Sequence, residues 1–302
     1  MCGSKRLKKN GLYRGKQRYK CSDCGKQFSL VKQLDINSLY DDYLFGKQTL
    51  EQLGLKYGKS SRTIRRWLDT VRSTRIISSK KDVIILADAS YWRRRFGVLV
   101  FKDWKSKRII WRKFLNKKEI LADYQEGLDW VLTEGFRIEG VVCDGLQGLF
   151  NIFGAYKVQM CQFHQYKIIE RKLTKNPVLE ASRELLEIAK LMCHTDKESF
   201  EGVFKEWCDK WDLFLKERAI DPKSGKKRYV HRPIRSAMQS IKRNMEYLWT
   251  WYDFIEVGIP NANNSIEGQF SDLKNKLRNH NGLRRARKMI FIDEYFKKTF
   301  NR

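Results

Sequence analysis

Between Asp82 and Met160 the apolar residues come in short runs of strand length, whereas on either side of that block they recur three and four residues apart. Val83–Ala87 is a continuous apolar run, which predicts a strand buried on both faces and ending at Asp88. Phe96–Phe101 and Ile109–Phe114 predict two more, and the turn-like Lys105–Arg108 between them predicts an antiparallel meander. Lys117–Glu134 changes to the helical period, with Ile120, Leu121, Tyr124, Leu128, Val131 and Leu132 on one face. Val141–Cys143 then predicts a buried strand, Leu146–Phe153 a short packed helix, and Val158–Met160 a last strand parallel to the one before it.

The order of three antiparallel strands, helix, strand, helix, strand is that of an α/β, ribonuclease H-like core. Before it, Leu34–Val71 predicts a helix-turn-helix. Ile36, Leu39, Tyr40, Tyr43 and Leu44 hold helical spacing, a second helix opens at Thr49 and closes at Gly58, and a third is capped by Ser60. After the core, Tyr166–Phe254 carries three helical stripes: Leu185, Ile188, Ala189 and Met192; Phe200, Phe204, Trp207, Trp211 and Phe214; and Ile234, Met238, Ile241, Met245 and Leu248. Such stripes predict core packing within an all-helical insertion, interrupted by the basic loop Pro222–Lys227. A last helix is expected from Asn261 to about Arg278, with Ile266, Phe270, Leu273 and Leu277 as its buried stripe. The expected organisation is a zinc-ribbon-like module at 1–32, a helix-turn-helix at 33–75, a catalytic core at 82–165 and 255–302, and the insertion at 166–254, with Arg72–Lys81 as a Ser/Lys-rich linker.

Composition changes this picture in one respect. The chain has 302 residues, 42% of them hydrophobic, and only 4 prolines, which suits folded protein and argues against long extended linkers. Its 62 Lys and Arg against 35 Asp and Glu leave a net charge of +27. Such an excess repels itself unless it meets a polyanion, and nucleic acid is the first expectation. No apolar run approaches the length of a membrane span and no signal peptide precedes the first charges, so a soluble, cytoplasmic and nucleoid-associated protein of bacterial type is expected.

The candidate chemistry begins with cysteine. Cys21-x2-Cys24 followed by glycine is a knuckle turn, whose backbone amides point at sulfur, and Cys2 is a third thiol. These three form an incomplete zinc ligand set, resembling a ribbon whose leading cysteine would fall before Met1. Tyr13, Arg14, Arg18, Tyr19 and Lys20 would give it a basic, aromatic face. In the helix-turn-helix, Arg62, Thr63, Arg65 and Arg66 fall on the open face of the third helix, where arginine forks can read guanine edges or grip phosphates; a plain helical hairpin with solvated arginines is the other reading. Lys274 and Arg278, with Lys276, and the basic run through Arg284 and Arg285 are further DNA-facing candidates.

Asp88 follows the first core strand and Asp144 the fourth, and these strands are neighbours in a ribonuclease H-like sheet. Alone, Asp144 would read as the cap of the next helix. Two carboxylates side by side repel unless cations lie between them, and two Mg²⁺ or Mn²⁺ ions so held serve phosphodiester chemistry. Glu267 is the third candidate, with Glu256 and Asp272 close in sequence and a helix-capping role as its alternative.

Taken together, Asp88, Asp144-Gly145, Cys161-x2-His164, the helical insertion and Glu267 within N-x2-E-G-x-F-S-x-L-K resemble a DDE-type transposase of bacterial insertion sequences, in the branch related to Mutator-like elements. The resemblance implies a catalytic set of Asp88, Asp144 and Glu267 holding Mg²⁺ or Mn²⁺, with Cys161 and His164 recurring beside it in a structural or DNA-positioning role. It implies as partners the terminal inverted repeats of the chain's own element, target DNA, and further copies of the chain as a dimer or higher homo-oligomer. A non-catalytic DNA-binding regulator descended from such an enzyme, and a structure-selective nuclease on the same fold, are the alternatives.

Overall fold

Strand and helix follow the two apolar periods, as a computed structural model of residues 2–13, 15–29, 35–71, 82–92, 96–222 and 225–299 shows. The linker Arg72–Lys81, Arg14 of the expected ribbon face, Leu34 at the start of the expected helix-turn-helix, and Lys223 and Ser224 of the basic loop lie outside the described residues. By internal contacts the chain divides into two units, Met1–Val71 and Arg72–Arg302.

In the first unit, β1 (Leu7–Tyr13), β2 (Lys16–Cys21) and β3 (Gln27–Ser29) form an antiparallel sheet in that order. Three helices follow: α1 (Ile36–Leu44), α2 (Leu50–Tyr57) and α3 (Ser61–Leu68). Their ends are fixed locally. Thr49 and Gln52 make a reciprocal capping box on α2, Gly58 ends it in the left-handed conformation at φ 60°, and the Ser60 side chain accepts from the Thr63 N–H to open α3. Leu39, Tyr40, Tyr43, Leu44, Leu53, Ile64 and Leu68 are buried, and Trp67 is half-buried.

The second unit is built on a mixed five-stranded sheet of β4 (Asp82–Tyr91), β5 (Gly97–Asp103), β6 (Ile109–Leu115), β7 (Arg137–Cys143) and β8 (Val158–Met160), in the order β6-β5-β4-β7-β8. The first three are antiparallel, and β7 and β8 run parallel to β4. Strand β4 does not end at Asp88 as expected: Ala89, Ser90 and Tyr91 keep pairing with Leu99, Val98 and Gly97, because β5 extends the ladder beyond the apolar run. Helix α4 (Leu121–Thr133) crosses from β6 to β7. Its Gly127 admits close packing, since a Cβ there would lie 2.7 Å from the Phe101 ring. Tyr124, Leu128 and Val131 are buried on the same stripe, but Ile120, Leu121 and Leu132 are exposed: Ile120 precedes the helix and Leu132 stands one residue off the stripe. Between β7 and β8 lies a single turn of helix, α5 (Leu149–Ile152).

After β8 come α6 (Gln162–Leu173), α7 (Glu180–Leu191), α8 (Lys197–Lys210), α9 (Asp212–Lys216), α10 (Arg232–Leu248) and α11 (Thr250–Asp253). The three expected stripes meet there in one apolar cluster around Phe200, Trp207, Ile241 and Trp249. The segment is not all-helical. β9 (Arg218–Ile220) and β10 (Lys227–Tyr229) pair across the basic loop as a small hairpin, since polar turn residues flanked by short β-forming runs favour strand over helix. Last come α12 (Asn264–Arg278) and α13 (Arg285–Lys298). The latter was not expected: the basic run at its start hides a buried face of Phe291, Ile292, Tyr295 and Phe296. Arg112 of β6 clasps Asp293 on α13 with two bonds of 2.6 and 2.7 Å.

Candidate active site

Parallel pairing of β4 with β7 matches Leu86 to Val142. Asp88 stands two residues further along β4 and Asp144 two residues past Val142, so the parallel register carries both toward the same end of the sheet. Asp88 lies opposite Val100 of β5, and Asp144 is the first residue beyond β7. Both are half-buried. Burial first, and then the negative charges of Asp144, Glu267 and Glu119, push the Asp88 carboxyl up to about 8 against the pull of the Ala89 N–H. Asp88 therefore sits within electrostatic reach of both other expected acids. One Asp144 oxygen accepts from the Leu146 N–H at 3.1 Å, a local turn contact; the cap position of α5 is Gly148, so Asp144 is not that helix's cap.

Glu267 reaches the site because the segment before α12 is fastened to the sheet at several points. The fully buried Asn263 donates from Nδ2 to the carbonyl of Ala87, the residue before Asp88, at 3.2 Å. Its backbone N–H donates to Cys161 Sγ at 3.2 Å, and the Gln162 N–H donates to the Asn261 carbonyl at 3.0 Å. Lys102, buried on β5, donates to the carbonyl and the hydroxyl of Ser265 at 3.0 and 2.9 Å. Burial draws the Lys102 ammonium down to about 8, with Lys107 adding repulsion. Asn263 is the N-cap residue of α12, so Glu267 stands one place past the position a capping-box acid would take, and its N–H bonds the Asn263 carbonyl. The Ile266, Phe270, Leu273 and Leu277 stripe is buried as expected.

Burial raises the Glu267 carboxyl above its ordinary value, while His164 and Lys167 pull it back. Its Oε1 lies 3.7 Å from His164 Nε2 and has no hydrogen-bond partner, although it is buried. The acids nearby in sequence are engaged elsewhere. Asp272 accepts from Lys276 and, at 2.8 Å, from the Tyr295 hydroxyl, and Glu256 lines a separate cleft with Lys105, Glu139 and Lys157. Asp88, repelled by two other acids, and a partnerless buried oxygen on Glu267 are hard donors that suit a divalent cation such as Mg²⁺ or Mn²⁺.

Three participants escaped sequence reasoning. Glu119, just before α4, adds charge to the site and accepts from the Tyr91 hydroxyl, while Lys102 and Asn263 hold the Glu267 helix in place. None lies on a periodic pattern, and only the Asn-rich run before Glu267 hints at one of them.

In the first unit the Cys2, Cys21 and Cys24 sulfurs lie within 4.8 Å of one another. The backbone N–H groups of Cys24 and Asp23 draw the Cys21 thiol down to about 7, the expected effect of a knuckle, and this soft donor set fits a zinc-class ion. Cys161 and His164 flank Glu267, and the three donors also lie within 4.8 Å of one another.

The basic candidates are spread over several elements. Arg62, Arg65 and Arg66 are exposed on α3, while Thr63 is half-buried with its hydroxyl 3.0 Å from that of Ser60. Arg278 and Arg284 are exposed and Lys274 is half-buried. Arg285, also exposed, bonds Asn116 and lies over the Phe96 ring. Lys276, expected to face outward, is buried: it falls beside Leu277 on the packed face and is neutralised by Asp272 beneath the Tyr295 ring.

No family model matches the chain, and no curated protein matches it. Among solved structures it is similar to a chain of the simian T-cell lymphotropic virus intasome in complex with PP2A regulatory subunit B56 gamma, at 11% identity over 52% of this chain and 69% of that one, with a TM-score of 0.23. It is also similar to a chain of the Drosophila P element transposase strand transfer complex, at 11% identity over 93% of this chain and 81% of that one, with a TM-score of 0.33.

Proposed function

We propose that the chain is a DNA transposase of the DDE type, in the branch related to Mutator-like elements, with a ribonuclease H-like catalytic core. What supports the reading is that Asp88, just past the Leu86–Val142 pairing in a sheet ordered β6-β5-β4-β7-β8, feels the charges of both Asp144 and Glu267. The combination of Asp144-Gly145, Cys161-x2-His164 and the motif around Glu267 supports it.

Asp88, Asp144 and Glu267 would hold Mg²⁺ or Mn²⁺, which when bound supplies Lewis-acid activation of the attacking oxygen and stabilisation of the leaving one. Asn263 and Lys102 tie the start of the Glu267 helix to β4 and β5, which would organise the set before DNA arrives. The reaction is hydrolysis at each end of the chain's own element, then attack of the freed 3′-hydroxyl on target DNA. The first unit carries end recognition, through α3 of a helix-turn-helix and a zinc-ribbon-like module whose Cys2, Cys21 and Cys24 take zinc. Lys274, Arg278, Arg284 and Arg285 contact the DNA backbone near the cut. The active form is a homodimer or higher oligomer.

The test uses DNA from either side of the reading frame. With Mg²⁺ present, the purified chain should release 3′-hydroxyl ends at inverted repeats and join them to a target. Asp88→Asn and Asp144→Asn should each lower cleavage by orders of magnitude while leaving DNA binding intact. Cleavage without joining would favour a nuclease, and an Asp88→Asn protein that still cuts would overturn the assignment.

A further inference from the structure

Around Glu267 the structure assembles a second donor set, of different chemistry from the acid pocket. Cys161 follows β8 at the N-cap position of α6, His164 lies one turn along that helix, and Glu267 enters from α12. One sulfur, one imidazole nitrogen and one carboxylate oxygen thus lie within 4.8 Å of each other, with His164 Nε2 and Glu267 Oε1 at 3.7 Å. That last gap is too long for a hydrogen bond. Glu267 Oε1 and His164 Nδ1 are both buried without a hydrogen-bond partner, so the protein leaves polar atoms of two of the three donors unmet. In a tetrahedral shell with bonds of about 2.0–2.3 Å, donors stand roughly 3.3–3.6 Å apart, so small side-chain shifts would close this set around an ion.

The sulfur is prepared for such a role. The Asn263 N–H already donates to Cys161 Sγ at 3.2 Å, and a coordinating metal displaces the thiol proton. Sulfur and imidazole donors select zinc-class ions over Mg²⁺, and three protein ligands leave one position open. The neighbouring thiol, Cys143, packs into the apolar core of the sheet.

We propose that Cys161, His164 and Glu267 form a second cation site, specific for a thiophilic divalent ion of the zinc class, that shares Glu267 with the Asp88 and Asp144 pocket. An ion bound there draws Glu267 away from the aspartates, so zinc-class ions oppose the Mg²⁺-dependent reaction; this consequence rests on the function proposed above, whereas the site itself does not.

The test is a Co²⁺ titration of the full chain with Cys2, Cys21 and Cys24 replaced by Ser, which removes the sulfur of the first unit. One equivalent of Co²⁺ should give a sulfur-to-cobalt charge-transfer band with tetrahedral visible absorption, and Zn²⁺ should displace it. Adding Cys161→Ser should abolish the band, adding His164→Gln or Glu267→Gln should weaken Co²⁺ binding at least about tenfold, and adding Cys143→Ala should leave it unchanged. Where Cys161→Ser loses its helical circular dichroism, the His164→Gln protein decides, because its residue is half-exposed on α6. Absence of the band at stoichiometric Co²⁺, its survival in Cys161→Ser, or unchanged affinity in His164→Gln would overturn the proposal. The absorbance readout needs no strand cleavage, so a failed transposition assay and a failed cobalt titration remain distinguishable.

Discussion

Asp88 is the residue at which folding and function conflict. Its carboxyl is raised to about 8 by burial and by the neighbouring acids, from an ordinary value of 3.8. A folded-state value above the unfolded one stabilises the fold below about pH 4, and that contribution is lost as pH rises through about 8. Metal-free protein should therefore melt progressively lower as pH rises from 4 to 8, and Asp88→Asn should flatten this dependence. At neutral pH in chelator the variant should gain about 2 kcal/mol, roughly 4–8 °C for a chain of this size. Calorimetry with and without Mg²⁺ checks this; an Asp88→Asn protein that melts lower than the parent in chelator would mean the carboxylate is satisfied without a cation. Lys102 provides the second residue-scale expectation. Lys102→Met keeps most of the stem but removes the donor to Ser265, so cleavage should fall at least about tenfold with DNA affinity unchanged. Unchanged cleavage would show that α12 is positioned without that tie. Asp88 and Asp144 were legible because each ends a β-branched apolar run, whereas Lys102 is one charged residue near the end of a buried strand and nothing around it in the chain reveals its partner.

Elements were legible to the degree that one periodic pattern determined them. The five core strands fall where the apolar runs lie, α2 begins and ends at the residues whose cap chemistry announces it, and α3 begins at its serine cap. The misses have physical causes. β4 outlasts its apolar run because a strand is sustained by its partner's hydrogen bonds as well as by its own side chains. α13 hides behind a basic first turn, and the β9–β10 hairpin is too short for a period to emerge. At this scale α3 supplies a direct test. Its exposed Arg65 and Arg66 project from a helix held by buried Ile64 and Leu68. Changing both arginines to Ala should lower affinity for element-end DNA at least about tenfold and flatten the salt dependence by about two counterions, without moving the melting temperature. An unchanged binding isotherm at fixed salt would move recognition away from α3.

For the whole molecule, the excess of +27 charges was the plainest sign of a polyanionic partner. What the chain could not display by itself is assembly over distance. The start of the Glu267 helix is tied to the sheet because Asn263 binds the Ala87 carbonyl, Cys161 accepts from Asn263, and Lys102 holds Ser265, contacts that join strand, sheet edge and late helix across the helical segment between them. Periodicity reports each element's buried face and is silent on which distant faces meet, so strand order could pair Asp88 with Asp144 while Glu267 had only its place in a late helix to recommend it. The most direct measurement is an anomalous difference map from crystals of the protein grown with Mn²⁺. The expected result is manganese density between the Asp88 and Asp144 carboxylates with Glu267 in its coordination sphere, lost in Asp88→Asn. Manganese bound elsewhere, or a Glu267 carboxylate turned away from an occupied Asp88–Asp144 pair, would contradict the three-acid site.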